Sequence, residues 1–255
     1  MQIHDPTWRR SSGRARLFRD GAPSAFAART RSITRAAFRT GLFRATLRVA
    51  MFAVTVCTTA GPVFAAQEDD AFVPIFDGVG LDGWVVENTE DGNITVRDGA
   101  ISVAGPGGWL RSAEQYGDVR LALEFRFATD AADSGVFVRA ATTGGFGRGW
   151  PNQSYQVQLR DMHQPSRFLP LGEIYRHGMP QGETDHDAEV LDARYRGVGE
   201  WHALEVEVRG EALTVWLDGA VITRAQGIAN PTGYIGFQAE AGTVEYRNIR
   251  IRTLE

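Results

Sequence analysis

The segment 155–161, YQVQLRD, carries side chains that could hold a polar ligand. It alternates apolar and polar residues, which is the period of a β-strand with two unlike faces. The polar row consists of Gln156, Gln158 and Arg160, and Asp161 follows it. Amide and guanidinium groups can each bind two adjacent oxygen atoms, which is the chemistry that holds a ring bearing hydroxyl groups. A wet face of an antiparallel sheet has the same pattern, so site and surface are both open.

Three further predicted strands divide in the same way into an apolar row and a polar row. In 121–127, LALEFRF, all four odd-numbered residues are apolar. The polar rows of the three strands contain Glu124 and Arg126, then Arg139, and then Gln238 with Glu240. Gln and Arg occupy positions where Thr or Ser would serve a wet face equally well. This composition favours a sugar-binding surface over a solvated one.

The elements that must position these side chains are short strands joined by tight turns. Asp-Gly pairs recur along the chain, and the pair at 98–99 separates NITVR from AISVA. A strand, an Asp-Gly turn and a second strand form the strongest short-range hairpin signal in a sequence. Helical signals are nearly absent. The pattern predicts an all-β fold of two packed antiparallel sheets.

Two segments, 141–152 and 162–200, lack this alternation of short strands and tight turns, and both flank the YQVQLRD strand. Loops longer than about 12–15 residues are uncommon in compact domains and usually functional. Trp150 and Tyr175 lie in these segments, and both are candidates to stack on a sugar ring. Core or strand-end packing is the alternative role for each.

Charge divides the chain into a basic N-terminal part and an acidic body. Residues 1–65 contain 11 Arg and 2 Asp, a net charge of +9, whereas the remaining 190 residues contain 16 Arg and 29 acidic residues, a net charge of −13. An acidic body disfavours nucleic-acid binding, which needs a positive surface. The only cysteine, Cys57, lies in the N-terminal part, so we expect no disulfides and no thiolate chemistry in the body.

The uncharged run 49–66 follows two arginines and has the layout of a secretory signal peptide, with cleavage expected near Ala65. Its apolar part is too short for a good membrane span, which needs about 20 residues; an uncleaved anchor is the alternative. We therefore expect a periplasmic or secreted protein with no stable membrane span after cleavage. The predicted organisation is a signal peptide with a long basic extension (1–65), a short acidic linker (66–72) and one β-sandwich domain (73–255).

Several blocks of the sequence resemble the 3-keto-disaccharide hydrolase domain family over about residues 73–254. They include FDGVGLDGW, DSGVFVR, YQVQLRD and GYIGFQAEAGTVEYRNIRIRTL, in the family's order and spacing. The resemblance implies a concanavalin A-like jelly roll of the lectin/glucanase type and activity on 3-oxo glycosides. One position departs from the family, because its strand usually reads Tyr-Glu-x-Gln-x-x-Asp and this chain has Gln156. If that Glu is catalytic in relatives, the activity here is lost or altered.

The substrate class implied by the resemblance defines the chemistry. A ketone at C3 acidifies the hydrogen on C2, so the bond at C1 can break by elimination, and water adds afterwards. This route needs a base, an acid and a group that stabilises the enolate oxygen. We select Glu124, Asp161 and Glu240 as candidate catalytic residues, with an ion pair to a neighbouring Arg as the alternative role of each. The candidate substrate-binding residues are Arg126, Arg139, Gln156, Gln158, Tyr175, Gln238 and Trp150.

Histidines could add a divalent metal as a Lewis acid. His163, His177 and His186 are the weak candidate ligands, and His186 is flanked by acidic residues, which suits Mn, Ca or Zn. No recognisable ligand spacing such as HExxH is present, so a solvated acidic loop is the alternative interpretation. No other cofactor is indicated.

Two function classes follow, both with a carbohydrate as the ligand. The first is an exported hydrolase or lyase that cleaves 3-keto-glycosides or 3-keto-disaccharides. The second is a non-catalytic carbohydrate-binding module of the same fold, which Gln156 makes credible. A third class, an adhesion or scaffold domain, is disfavoured because the body lacks repeats and long linkers.

Overall fold

The computed structural model describes residues 71–142, 147–162 and 169–255; the predicted signal peptide lies outside this part. The strands are β1 (Val73–Pro74), β2 (Trp84–Glu87), β3 (Ile94–Arg97), β4 (Ala100–Ala104), β5 (Trp109–Tyr116), β6 (Val119–Phe127), β7 (Asp133–Ala140), β8 (Ser154–Arg160), β9 (Ile174–His177), β10 (Thr184–His186), β11 (His202–Arg209), β12 (Ala212–Leu217), β13 (Ala220–Gln226), β14 (Gly233–Gln238) and β15 (Thr243–Thr253). One helix, α1 (Ala188–Arg194), lies between β10 and β11.

Within the described ranges the strands form two antiparallel sheets. The larger sheet has nine strands in the order β10-β13-β12-β11-β6-β15-β4-β3, with β1 paired to β15. The smaller sheet has six strands in the order β2-β5-β14-β7-β8-β9. A shared hydrophobic core joins them: the Phe237 ring on β14 stacks on the Tyr246 ring on β15 with centroids 4.1 Å apart. The predicted all-β, two-sheet antiparallel jelly-roll sandwich is confirmed.

Asp-Gly turns close two of the hairpins, as the sequence predicts. Asp98-Gly99 joins β3 to β4, and Asp218-Gly219 joins β12 to β13. All four residues have positive φ, between 46° and 79°, which is the backbone of a type I′ turn. Asp and Gly tolerate this left-handed region better than most residues, so the local sequence fixes the register of both hairpins.

The strand β8 is buried on both faces, which the period-2 pattern alone could not establish. Val157 and Leu159 face the core, as predicted, and neither is exposed to solvent. The opposite row is also covered, since Gln156 and Gln158 are 1% and 2% exposed. The polar row of β8 is therefore not a wet surface.

The predicted irregular segment 162–200 contains more regular structure than its sequence indicates. It includes β9, β10 and α1, of which β9 pairs with β8 and extends the six-stranded sheet. Asp187 caps the helix by accepting a hydrogen bond from the backbone N–H of Val190. In the parts that the structure describes, no helix has the length and apolar character needed to cross a membrane.

Candidate functional site

A cavity of about 280 Å³ opens on the face of the six-stranded sheet opposite the core. Strands β8 and β9, the end of β14 and the loop before β8 surround it. The lining residues are Trp150, Gln156, Gln158, Arg160, Tyr175, Arg176, His177, Gly178, Gln238 and Glu240. The cavity is thus built from the YQVQLRD strand and its neighbours.

Three buried glutamines form the floor, and they bind one another. Gln156 Nε2 donates to Gln158 Oε1 at 2.7 Å and to Gln238 Oε1 at 2.8 Å. Gln158 Nε2 donates to Asp133 Oδ1 at 2.8 Å, and Arg160 forms an ion pair with the same carboxylate. Such a network holds each amide in one orientation, because reversing any of them would oppose two acceptors or two donors.

His177 stands at one end of this network. Its Nε2 atom lies 2.6 Å from Gln156 Oε1. The ring packs between aromatic neighbours, with Tyr175 stacked at 5.7 Å and the edges of Phe137 and Trp150 at 5.7 and 6.5 Å between centroids. Burial lowers the pKa of His177 from 6.5 to about 4, so the imidazole is neutral at ordinary pH. A neutral imidazole in a cavity can accept a proton.

Glu240 stands at the other end. Its carboxylate lies beside Gln238, whose Oε1 atom accepts a hydrogen bond from Gln156. Burial raises the pKa of Glu240, while Arg160, Arg148 and the neighbouring Gln238 amide oppose the rise. A carboxyl group with a raised pKa can exchange protons with a ligand near neutral pH. His177, Gln156 and Gln238 therefore form one hydrogen-bonded chain, and Glu240 lies beside its Gln238 end.

Two aromatic side chains form walls beside the floor. The indole N–H of Trp150 donates to the Ala239 carbonyl at 3.1 Å, which fixes the ring next to Glu240. Tyr175 lines the cavity from β9. Aromatic faces beside planar hydrogen-bonding groups are the usual surroundings of small polar ligands in concave sites.

The structure brings together six of the residues that the sequence selects as catalytic or substrate-binding. Gln156 and Gln158 come from β8 and Gln238 from β14, which are separated in the sheet only by β7. The set that lines the cavity is Trp150, Gln156, Gln158, Tyr175, Gln238 and Glu240. Their convergence follows from strand order, because β7, β8 and β14 turn their polar rows to the same side.

Glu124 and Arg126 are not brought to the cavity. Both lie on β6, which belongs to the nine-stranded sheet, and their row faces outward. Glu124 accepts hydrogen bonds from Arg247 at 2.6 Å and from Asn248, while Arg126 pairs with Glu245 at 2.5 Å. These are ion pairs across a partly exposed sheet face, the alternative role that the sequence left open.

Arg139 and Asp161 are buried but do not line the cavity. The guanidinium of Arg139 donates to Asp118 at 2.7 Å and to two backbone carbonyls at the far end of β7, and burial lowers its pKa. Asp161, just after β8, accepts a hydrogen bond from the Tyr195 hydroxyl at 2.6 Å. Both side chains connect loops to the sheet.

The three histidines proposed as metal ligands do not come together in the described part. His177 lines the cavity, whereas His186 lies on β10 at the edge of the other sheet, with Nδ1 2.8 Å from Thr223 Oγ1. His163 lies outside the described residues. Among the described residues, no group of three or more His, Cys, Asp or Glu side chains is arranged to hold a metal ion.

Sequence reasoning did not select Arg160, Asp133 or Gly135 as site residues. It selected His177 only as a metal ligand, because the polar segment around it gives no strand signal. Asp133 has no feature in the sequence that connects it to Gln158 and Arg160. Gly135 had a usable signal: a glycine inside a strand often marks a close approach, and a Cβ atom there would lie 2.3 Å from Gln156 Nε2.

Comparison with known proteins agrees with this architecture. The structure resembles a "putative glycosyl hydrolase" from Parabacteroides distasonis ATCC 8503, with a TM-score of 0.57 and 21% identity over 72% of this chain and 100% of that chain. A second "putative glycosyl hydrolase" from the same organism gives 0.53 and 19% over 72% and 94%. At these identities the likeness shows the fold alone, and no curated protein matches the chain.

The sequence itself assigns the family. Residues 71–252 match the family described as the 3-keto-alpha-glucoside-1,2-lyase-like domain. This range includes every strand of both sheets except the last residue of β15, and all of the residues that line the cavity. The chain belongs to the 3-keto-alpha-glucoside-1,2-lyase-like domain family.

Proposed function

We propose that this protein cleaves the glycosidic bond of 3-keto-glycosides, including 3-keto-disaccharides, by proton abstraction at C2 and elimination, followed by hydration. Membership of the family supports a carbohydrate-active protein. The observation that carries the proposal is the placement of His177 and Glu240, two groups that can transfer protons, at opposite ends of the amide floor of one cavity. The cavity volume, about 280 Å³, suits a single sugar ring.

In the proposed reaction, neutral His177 accepts the proton from C2. The C2–H electrons form the enolate with the C3 carbonyl, and the enolate then expels the oxygen at C1. Glu240 donates a proton to that leaving oxygen, which its raised pKa favours. The product is an unsaturated 3-keto sugar with a C1–C2 double bond, and addition of water restores the hydroxyl at C1 and the hydrogen at C2.

The remaining groups bind the sugar and its developing charge. Arg160 lines the cavity with its guanidinium group, so it is suited to stabilise the enolate oxygen. The amide groups of Gln158 and Gln238 are candidates to orient ring hydroxyls, and Trp150 and Tyr175 to pack against the ring. In this assignment Glu240 keeps the catalytic role expected from the sequence, and His177 takes the place of Glu124 and Asp161.

A second candidate function is a non-catalytic carbohydrate-binding module. Gln156 favours it, because the amide floor can bind hydroxyl groups while offering no carboxylate where relatives of the family usually have one.

Incubation of the purified protein with a 3-keto-glucoside and with the unoxidised glucoside tests the proposal. We expect cleavage of the keto form alone and, in deuterium oxide, one deuterium at C2 of the released 3-keto sugar. Equal cleavage of both glucosides would contradict elimination. Saturable binding without turnover would contradict the enzymatic function and support the carbohydrate-binding module.

The proposal includes export to the periplasm or the cell exterior, which is supported by the signal-like run 49–66. Cell fractionation of the full-length protein and N-terminal sequencing of the mature chain test this. A new N-terminus near residue 66 in the exported fraction is expected; a full-length cytoplasmic protein would contradict export.

A further inference from the structure

The floor of the cavity contains a relay that begins at a carboxylate outside the catalytic pair. Asp133, the first residue of β7, is buried and forms an ion pair with Arg160. An ionised carboxylate can only accept hydrogen bonds, so Gln158 must turn its amide nitrogen towards Asp133, as observed at 2.8 Å. The oxygen of Gln158 then faces Gln156.

Each further step is determined by the previous one. Since Gln158 presents an acceptor, Gln156 must present its amide nitrogen, which donates to Gln158 Oε1 at 2.7 Å. The same nitrogen satisfies Gln238 Oε1 at 2.8 Å. The oxygen of Gln156 is then the atom left to face His177 Nε2, 2.6 Å away, and an oxygen acceptor requires a proton on that ring nitrogen.

We propose that Asp133 is a positioning residue that acts through Gln158 and Gln156 to fix the proton of His177 on Nε2. Nδ1 is then the basic atom of the ring. This choice of tautomer matters for catalysis only if the proposed function is correct, since Nδ1 would be the atom that accepts the C2 proton. The tautomer itself is a property of the resting protein and can be measured without substrate.

Among the described residues, the Ser134 carbonyl also accepts from Gln156 Nε2, at 3.5 Å, a longer contact than those to Gln158 and Gln238. Gln156 is the partner of Nε2 that contacts the ring from β8, and the neighbours from β7 and β9 are the rings of Phe137 and Tyr175. The charged and titratable groups that line the same cavity are Arg160, Tyr175, Arg176 and Glu240. The Arg176 guanidinium donates to the carbonyls of Gly227 and Gln226, away from the amide relay.

Nitrogen-15 NMR of histidine-labelled full-length protein tests the relay. The His177 signals are assigned by comparison with His177→Asn, and spectra are recorded at a pH where the ring is neutral. We expect wild type to show only the form with the proton on Nε2. Asp133→Asn can donate as well as accept, so the relay can reverse, and a second set of shifts from the Nδ1–H form should appear.

Matched variants separate the relay from general damage to the fold. Gln156→Met keeps the side-chain length but removes both amide groups, and should also give mixed tautomers. Asp130→Asn makes the same change on an exposed residue of the preceding turn and should leave the spectrum unchanged. Circular dichroism confirms that each variant is folded.

Two results would overturn the proposal. One is a wild-type His177 with its proton on Nδ1; the other is a folded Asp133→Asn protein with the wild-type tautomer. Either result leaves the turnover assay with 3-keto-glucoside untouched. Conversely, a protein without turnover that still shows the expected tautomers would contradict the proposed function and retain the relay.

Discussion

At the scale of single residues, His177 and Glu240 differ from the glutamines of the floor because only these two side chains can gain and lose a proton. His177→Asn and Glu240→Gln should each lower kcat/KM for a 3-keto-glucoside by about 10²–10⁴-fold, the usual contribution of a general base or acid. Glu124→Gln is the matched control, because Glu124 pairs with Arg247 on the other sheet. Steady-state kinetics of the three variants checks this, and a large loss in Glu124→Gln with the other two unaffected would contradict the assignment.

Gln156 is an uncharged hydrogen-bond partner of His177. Gln156→Glu keeps an oxygen acceptor for Nε2 but introduces an anion, which stabilises the imidazolium and should raise the pKa of His177 by about one to three pH units. The ring would then stay protonated to higher pH, so the acid limb of the pH profile of kcat/KM should move upward. Gln115→Glu, on an exposed position of β5, is the control. An acid limb that does not move would show that His177 is not the base.

At the scale of elements, the site depends on how closely β7 and β8 approach. Gly135 pairs with Gln158, and a Cβ atom at position 135 would overlap the side chain of Gln156 at 2.3–2.6 Å. Gly135→Ala should therefore destabilise the fold by about 1–3 kcal/mol through overpacking and reduce activity by displacing Gln156. Urea unfolding measures the first effect. Gly80→Ala, where an added Cβ would meet nothing within 4 Å, should be close to wild type.

The strands were predictable because their signals are local, whereas their distribution between sheets was not. Period-2 alternation and Asp-Gly turns identified the hairpins and the core rows of β6, β8 and β14. The polar row of β6 has the same pattern as that of β8, yet it faces outward and is partly exposed. Only long-range packing distinguishes them, because β9 and the Trp150 loop surround the polar row of β8. Contacts of this kind leave no periodic signal in the sequence.

At the scale of the whole molecule, buried neutral histidines connect stability to pH. His177 has a folded pKa of about 4 against an ordinary value of 6.5, and burial also lowers the pKa of His202, which bonds to Asp218 in the core. At these two histidines the unfolded chain binds more protons than the folded chain, so their titration favours unfolding on acidification, whereas the raised pKa of Glu240 acts in the opposite direction.

The free energy of unfolding should therefore fall as the pH drops from about 6.5 towards 4, with His177 contributing at most about 1.4 kcal/mol per pH unit. Urea unfolding at several pH values measures this slope. His177→Asn removes one of these two buried histidines and should give a shallower dependence than wild type. Parallel slopes for the two proteins would mean that His177 is not buried in its neutral form.

The hydrogen bonds that the floor makes to itself have a consequence for binding affinity. The glutamine amides are already held by one another, and the Trp150 indole is held by the Ala239 carbonyl, before any ligand arrives. Ordering a mobile side chain on binding costs about 0.5–1.5 kcal/mol of conformational entropy. A sugar entering this cavity therefore meets groups whose rotamers are already restricted, and most of that entropic cost is met during folding rather than at each binding event.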